Sequence, residues 1–364
     1  MEVFQSILRG AVEAGASDVH LKTGAPVIFR ISGELATVEA PQPTIDWMTS
    51  VLKEIVPHTL FERFEREHEV DFAYDAPGLG RFRANIFQQR GTYVMALRLV
   101  KAKIRDFEEL HLPPMVRTIA ESHGGIVLLA GATGSGKSTT LAAMIEHINT
   151  TTRKHILTFE DPIEYLFTDK LSVIEQREVG IDTMSFASGL KNVLRQDPDV
   201  IVIGEMRDSA SVMAAVSAAN TGHLVIATLH TVDAPKSVQR ILEFFPGAER
   251  DQVRQQFAST LRAVICQRLV PTPGTGLLPA IEILLNNGGV AKLIHSGQLE
   301  KLPAAIELGV GDGMQTFDQA LYDMATTGKI TQAEALANAP SPEALKMRFQ
   351  GVILNETRRI IGSR

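Results

Sequence analysis

A glycine-rich loop between an apolar strand and a helix is the sequence feature that most constrains how this chain folds. Residues 131–138 read Gly-Ala-Thr-Gly-Ser-Gly-Lys-Ser, a complete G-x-x-x-x-G-K-[ST] pattern. An apolar run, 126–130, precedes the loop, and a helix-compatible segment, 139–147, follows it. Backbone N–H groups of such a loop wrap phosphate oxygens, and the helix directs the positive end of its dipole at the same anion. The pattern therefore predicts a nucleoside triphosphate site rather than a glycine-rich surface turn.

The loop also predicts which residues contact the ligand. Lys137 is expected to neutralise the β- and γ-phosphates, and the hydroxyl of Ser138 is expected to ligate Mg²⁺. The predicted nucleotide-binding residues are Gly131, Ala132, Thr133, Gly134, Ser135, Gly136, Lys137, Ser138 and Thr139.

Composition narrows the class of protein. The 364 residues are 45% apolar and 21% charged, which is typical of a soluble chain with one large domain or two smaller ones. A net charge of −6 gives no global basic field for nucleic acid. The single cysteine, Cys266, excludes a disulfide framework and a four-cysteine zinc site. No apolar run reaches the length of a membrane span and no signal peptide is recognisable, so a cytoplasmic location is expected.

The first hundred residues predict a small α+β domain with an antiparallel sheet, because strand-like and helix-like patterns are mixed there. The predicted strands are 18–22, 26–32, 70–74, 81–88 and 93–100, and the predicted helices are 44–56 and 58–68. We place this domain at 1–100 and a linker at 101–112.

From residue 113 to 364 the pattern changes to that of an α/β domain. Short apolar strands are predicted at 126–130, 155–159, 200–204 and 224–229, separated by helices. This alternation indicates a parallel sheet covered on both faces. Beyond Pro246 the chain is predicted to be mostly helical, apart from a hairpin around 268–283.

Two acidic residues follow predicted parallel strands. Glu160 follows the strand at 156–159, and Glu205 follows 200–204. The carboxyl ends of parallel strands are where α/β sheets build ligand sites, and phosphoryl transfer needs a carboxylate to hold Mg²⁺ or orient water. Solvated loop acids are the competing interpretation for either residue alone. His230 follows a third strand at the same sheet edge and is a candidate sensor of the γ-phosphate or of an interface; a local hydrogen-bonding residue is the competing interpretation.

Positive charge for the transition state is predicted in the first domain. Arg81 and Arg83 share one face of a strand by its period of two, and Arg98 lies on the next strand. Taken alone, these are solvated surface charges. If the first domain packs over a phosphate, they become candidate arginine fingers.

Taken together, these motifs resemble those of the secretion ATPases of type IV pilus and type II secretion systems. The resemblance is closest to the pilus retraction (twitching motility) ATPases of the PilT/PilU type and runs over most of the chain. Besides the phosphate loop, the matching segments are Ala16-Ser-Asp-Val-His20, Gly80-Arg-Phe-Arg83, Phe159-Glu-Asp-Pro-Ile-Glu164, Gln196-Asp-Pro-Asp-Val to Gly204-Glu-Met-Arg-Asp208, and Thr221-Gly-His-Leu to Thr228-Leu-His-Thr231.

The resemblance implies a fold and roles for the candidate residues. It implies a PAS-like amino-terminal domain joined to a RecA-like parallel-sheet domain, with ATP as the nucleotide bound between them. Glu160 would be the general base that activates water, and Glu205 the Walker B acid near Mg²⁺. Arg83 and Arg98 would contact the γ-phosphate, with Arg81 less certain, and His230 would contribute at the same site.

The resemblance further implies a homohexameric motor at the cytoplasmic face of the inner membrane. Its expected partners are a pilus platform protein and a paralogous retraction ATPase. Binding to nucleic acid is not expected. The single cysteine and the start at the PAS-like segment favour retraction over extension. The retraction type carries an Ala-Ile-Arg-Asn-Leu-Ile-like motif, which reads Gly-Val-Ala-Lys-Leu-Ile at 289–294 here. The sequence therefore leaves two assignments open, the main retraction motor and its accessory paralogue.

Three alternatives accompany this hypothesis. An ATPase of type II secretion or of filament assembly would use the same chemistry in a different machine. A nucleotide-gated structural subunit would bind ATP and barely hydrolyse it, but Glu160 and Glu205 argue against it. A nucleic-acid motor is disfavoured by the net charge of −6 and by the lack of a basic aromatic groove.

Overall fold

The computed structural model describes residues 1–100, 103–274 and 276–351, and its contacts divide the chain into two units. The first unit comprises Met1–Ile104, Glu160–Phe167 and Gln176–Ser185; the second comprises Arg105–Phe159, Thr168–Glu175 and the chain from Phe186 onward. The boundary at 104 falls inside the expected linker, of which positions 101 and 102 lie outside the described residues. The two short excursions of the first unit, 160–167 and 176–185, were not predicted.

The first unit is a six-stranded sheet with helices on one face, and its strand order is β3-β2-β1-β6-β5-β4. All its neighbouring strands are antiparallel, as predicted. Its elements are α1 Glu2–Glu13, β1 Asp18–Lys22, β2 Val27–Ile31, β3 Glu34–Val38, α2 Ile45–Ile55, α3 His58–Glu67, β4 Glu69–Ala76, β5 Gly80–Gln89 and β6 Thr92–Leu99.

Strand alternation separates the core of the first unit from its charged face. On β5, Phe82, Ala84 and Ile86 are buried in a core that also contains Phe4 of α1 and Met48 of α2. Successive side chains of a strand point to opposite faces, so the arginines of β5 lie on the face away from this core. The sheet therefore presents its arginines on the side that the helices do not cover.

The second unit is built on a seven-stranded sheet with the order β13-β12-β7-β11-β10-β8-β9. The pairs β8–β10, β10–β11, β11–β7 and β7–β12 are parallel, and β13 is antiparallel to β12. The strands are β7 Gly125–Ala130, β8 His155–Glu160, β9 Val173–Glu178, β10 Val200–Ile203, β11 Leu224–Leu229, β12 Leu261–Pro271 and β13 Leu277–Leu285. The predicted α/β class, a parallel sheet preceded by a smaller α+β unit, is confirmed.

Helices cover this sheet and form the carboxyl-terminal part of the described chain. They are α4 Pro114–Ala120, α5 Lys137–Thr151, α6 Phe186–Leu190, α7 Ser209–Asn220, α8 Ala234–Glu243, α9 Arg250–Thr260, α10 Gly288–His295, α11 Leu302–Leu308, α12 Phe317–Thr326, α13 Gln332–Asn338 and α14 Pro342–Phe349. The predicted hairpin is β12–β13, whose first strand starts earlier than expected, at Leu261. Thr275, between the two strands, lies outside the described residues. No helix in the described ranges is both long enough and apolar enough to cross a bilayer.

Candidate nucleotide-binding and catalytic site

The phosphate loop occupies residues 131–136, between the end of β7 and the start of α5. Gly136 adopts a φ of +90°, and a Cβ built there would lie 2.6 Å from Nε2 of Gln267. A Cβ on Gly131 would lie 2.4 Å from Oγ of Ser135 and 2.6 Å from the carbonyl oxygen of Gln267. A side chain at either position would collide with its surroundings, so the loop keeps this shape only with glycine there.

Lys137 begins α5 and folds its side chain back over the loop. Its Nζ donates to the carbonyl oxygens of Gly131 at 2.8 Å and Ala132 at 3.0 Å, and the residue is buried. These bonds hold the ammonium group against the loop. Ser138 and Thr139 follow in the first turn of α5. The backbone shape and the fixed charge are those of an anion-binding loop.

Gln267 of β12 holds the phosphate loop in place by hydrogen bonds, and the sequence analysis missed it. Its Nε2 donates to the carbonyl oxygen of Ser135 at 2.8 Å, and its Oε1 accepts from Oγ1 of Thr140 at 2.8 Å. Gln267 is 4% exposed. One buried amide therefore ties the loop to the first turn of α5. The available signal was a neutral polar residue directly after the apolar run 263–266.

Glu205 and His230, predicted from separate motifs, are brought together at the carboxyl ends of β10 and β11. His230 Nε2 lies 3.3 Å from Oε1 of Glu205. The other carboxylate oxygen accepts from Arg207, at 2.7 Å from Nε and 2.6 Å from Nη2. The backbone N–H of Met206 donates to the carbonyl oxygen of Thr228 at 3.0 Å, which fixes the end of β10 to β11. Arg207 was not predicted, although it stands two residues after Glu205 in the same motif.

A row of charged residues crosses four strands of the first unit. Arg83 on β5 lies opposite Arg98 on β6. Arg98 in turn lies opposite Asp18 on β1, and Asp18 lies opposite Arg30 on β2. Nε of Arg98 donates to Oδ1 of Asp18 at 2.8 Å, while Arg83 is exposed. Like charges directly opposite each other on neighbouring strands repel. The Arg83–Arg98 pair is thus a place where a bound anion would relieve repulsion.

Asp18 remains a carboxylate in this row. Burial by itself would raise its pKa, but hydrogen bonds from Ser17 and Arg98 outweigh burial and bring the pKa below its ordinary value. Asp18 therefore keeps its negative charge and holds Arg98 in place on the sheet.

Arg81 differs from its neighbours because it is already paired. Its Nη1 donates to Asp75 at 2.7 Å and its Nη2 donates to Glu178 at 2.7 Å. The Arg81 side chain is 11% exposed, and the Glu178 side chain is 3% exposed. Arg81 is therefore part of a buried ion pair within the first unit.

Glu160 is the last residue of β8 and groups with the first unit. Its Oε1 accepts from Nε2 of Gln176 at 3.0 Å. Arg83 and Arg98 belong to the same unit, whereas the phosphate loop, Glu205 and His230 belong to the second. The candidate residues thus lie in both units.

The fold and the loop define a class of protein. A phosphate loop between a parallel strand and a helix, with an acidic residue after another parallel strand of the same sheet, is the arrangement of a P-loop nucleotide-hydrolysing domain. The model of the family described as "Type II/IV secretion system protein" matches residues 1–276. The chain belongs to this family and is an ATPase with a nucleotide-binding site.

Individual relatives agree with this assignment. The chain is 42% identical over 352 residues to the type IV pilus ATPase PilU of Pseudomonas aeruginosa, covering 95% of this chain and 91% of that one. It is 37% identical over 337 residues to the type IV pilus retraction ATPase PilT of the same organism, covering 93% and 98%. The crystal structure of the pilus retraction motor PilT with bound ADP superposes with a TM-score of 0.87 at 41% identity, covering 94% of this chain and 98% of that one.

Proposed function

We propose that this chain forms a hexameric motor at the cytoplasmic face of the inner membrane, where ATP hydrolysis drives retraction of a type IV pilus. The observation that carries the proposal is a complete phosphate loop in a chain similar to PilU and PilT over 95% and 93% of its length. The pilus platform protein is its expected membrane partner, and a paralogous retraction ATPase is a further one.

Residues 131–139 hold the nucleotide in this proposal. Loop N–H groups bind the phosphates, and Lys137 neutralises their charge. Ser138 and Glu205 hold Mg²⁺, and their hydroxyl and carboxylate oxygens are ligands that this ion prefers. Bound Mg²⁺ supplies charge neutralisation on the phosphates. Because Arg207 and His230 contact Glu205, binding of the ion requires Glu205 to share or exchange these contacts.

The chemical step is assigned to residues on both units. Glu160 takes the proton of the attacking water as general base. Arg83 and Arg98 stabilise the negative charge of the transferring phosphoryl group, and the repulsion between these paired arginines supports the assignment. His230 reports the state of the site through its contact with Glu205.

The mechanical step is a movement of two domains. We place an amino-terminal domain at 1–100, a linker at 101–112 and a RecA-like domain at 113–364. ATP and ADP bind with different affinity to different arrangements of the domains, so each turnover shifts the arrangement. The platform protein would transmit this movement to the pilus base.

Turnover by the purified protein tests the enzymatic part. With Mg²⁺ and ATP the protein is expected to release phosphate, and Lys137→Ala is expected to remove this activity. Equal turnover by Lys137→Ala would exclude the proposed site. Gene deletion separates the machines: surplus pili without twitching support retraction, loss of pili indicates extension, and loss of protein secretion with intact pili indicates a type II system.

The accessory retraction ATPase is a second candidate, favoured by two observations. Identity is 42% to PilU against 37% to PilT. The segment 289–294 also lacks the Arg-Asn pair expected of the main motor. Expression of this chain in a strain that lacks its paralogue distinguishes the two. Restored retraction identifies the main motor, and retraction only with the paralogue present identifies the accessory one.

A further inference from the structure

The segment after Glu160 takes its shape from side chains of β9. Residues 161–167 contain no helix or strand. Gln176 of β9 spans this segment: its Oε1 accepts from the N–H of Phe167 at 3.0 Å, and its Nε2 donates to the carbonyl oxygen of Tyr165 at 2.8 Å. The same Nε2 donates to Oε1 of Glu160 at 3.0 Å. One amide therefore holds both the far end of the segment and the carboxylate before it.

Glu178 contacts the middle of the same segment. It lies two residues after Gln176, on the same side of β9. Its Oε2 accepts from the N–H of Ile163 at 3.2 Å and from Nη2 of Arg81 at 2.7 Å. Because Glu178 is buried, removing Arg81 would leave its charge uncompensated.

Arg81 connects this arrangement to the row of charged residues that contains Arg83 and Arg98. It lies on β5 two residues before Arg83, so the two side chains emerge from the same face of one strand. Arg81 also donates to Asp75 of β4 at 2.7 Å. The Asp75 side chain is 64% exposed, against 3% for Glu178. Arg81 thus has two carboxylate partners at equal distance, of which only one is buried.

We propose that Arg81, Glu178 and Gln176 are positioning residues that fix the carboxylate of Glu160. The inference rests on the proposed role of Glu160 as general base. Arg81 acts through Glu178. The 160–167 and 176–185 segments group with the first unit, which also contains Arg81.

The matched pair Glu178→Gln and Asp75→Asn tests the proposal in the full-length protein. Both changes remove one charged partner of Arg81. Glu178→Gln is expected to lower kcat for ATP about 100-fold, because small displacements of a catalytic group cost about that factor. KM for ATP and Kd for ADP should stay within about twofold, since the phosphate loop is unaffected. Asp75→Asn should leave all three within about twofold, because exposed ion pairs contribute little.

A second variant covers the case in which Glu178→Gln does not fold. Gln176→Leu replaces a half-buried residue and removes the hydrogen bond to Glu160 directly. It is expected to lower kcat about tenfold or more with ADP binding retained. A Glu178→Gln or Gln176→Leu protein that melts at a lower temperature but turns over like Asp75→Asn would overturn the proposal, because the contacts would then be structural only.

Glu160→Gln separates failure of this inference from failure of the proposed function. If Glu160→Gln retains turnover, Glu160 is not the base and the proposed mechanism fails. If it is inactive while Glu178→Gln and Gln176→Leu are fully active, only the positioning inference fails. In the double variant Glu160→Gln/Glu178→Gln, residual turnover should equal that of Glu160→Gln alone, because residues acting through one group are not additive. A further loss equal to the single effect would contradict the inference.

Discussion

At the scale of single residues, the motif positions could be predicted from the sequence and their supporting residues could not. Lys137, Glu205 and His230 could be proposed as site residues because a loop or a strand end defines each position locally. Gln267 and Gln176 were missed because the groups they bind lie far away along the chain or in an irregular segment. Their roles exist only once the strands are paired.

Gln267 provides a test at this scale. Gln267→Leu removes the hydrogen bonds to Ser135 and Thr140 and leaves both groups buried without partners. We expect the free energy of unfolding to fall by about 1–3 kcal/mol, the usual cost of an unsatisfied buried group. Kd for ADP should rise about tenfold because the loop is less constrained. Calorimetric titration measures this Kd. Thr140→Val is the control: it removes one of the two bonds and should have the smaller effect, and an unchanged Kd in Gln267→Leu would contradict this role.

At the scale of elements, the buried parallel strands were predicted well and the exposed or amphipathic elements were not. Strands β7, β10 and β11 are buried and apolar apart from the half-buried Gly125 and the polar Thr228. Strand β3 was missed because its side chains are half-buried or exposed and it pairs only with β2. Helix α1 was missed although its buried residues Phe4, Ile7, Leu8 and Ala11 have helical spacing. Strand β9 carries mostly polar residues whose partners are distant in sequence.

Glu282 of β13 joins two helices and gives the molecule a pH-dependent contact. Its Oε1 accepts from the N–H of Ala234 at the start of α8, and the N–H of Phe317 at the start of α12 also hydrogen-bonds to it. Burial, helped by the nearby Asp233, raises the pKa of Glu282 to about 7, although both hydrogen bonds and Arg268 lower it. The folded state therefore binds a proton here that the unfolded chain has already lost above its ordinary pKa.

The sign of the resulting pH dependence follows from linkage. Between the unfolded pKa near 4.5 and the folded pKa of about 7, the folded state holds more protons, so stability falls as pH rises. The whole effect amounts to about 3 kcal/mol. Glu282→Gln should flatten the dependence of the free energy of unfolding on pH between 5 and 8. Urea titrations at several pH values measure it, with the exposed Glu300→Gln as control. An unchanged slope in Glu282→Gln would refute this assignment.

At the scale of the whole molecule, the family and its α/β class could be predicted from ordered motifs, but the grouping of Glu160 with the first unit could not. Glu160 follows a strand of the parallel sheet, and sequence order alone places it with the second domain. Its grouping depends on the contacts of Gln176 and Glu178 with residues before Phe167, which only the folded chain brings together.

Arg83, in the row of charged residues, supplies a prediction at this scale. Arg83→Ala should lower kcat about 1000-fold, the lower range for loss of an arginine that stabilises phosphoryl transfer. Kd for ADP should change little, because such a contact forms chiefly in the transition state. Single-turnover kinetics with ATP measure the chemical step. Arg90→Ala changes another exposed arginine at the end of the same strand and serves as control. If both variants turn over like the wild type, Arg83 is only a surface charge.

The central claim, that ATP hydrolysis at the 131–138 loop powers pilus retraction, is tested most directly by counting surface pili on cells whose only copy of this chain carries Lys137→Ala. The proposed motor predicts surplus pili, because extension continues while retraction has stopped. Cells with the wild-type number of pili, or without pili, would contradict it.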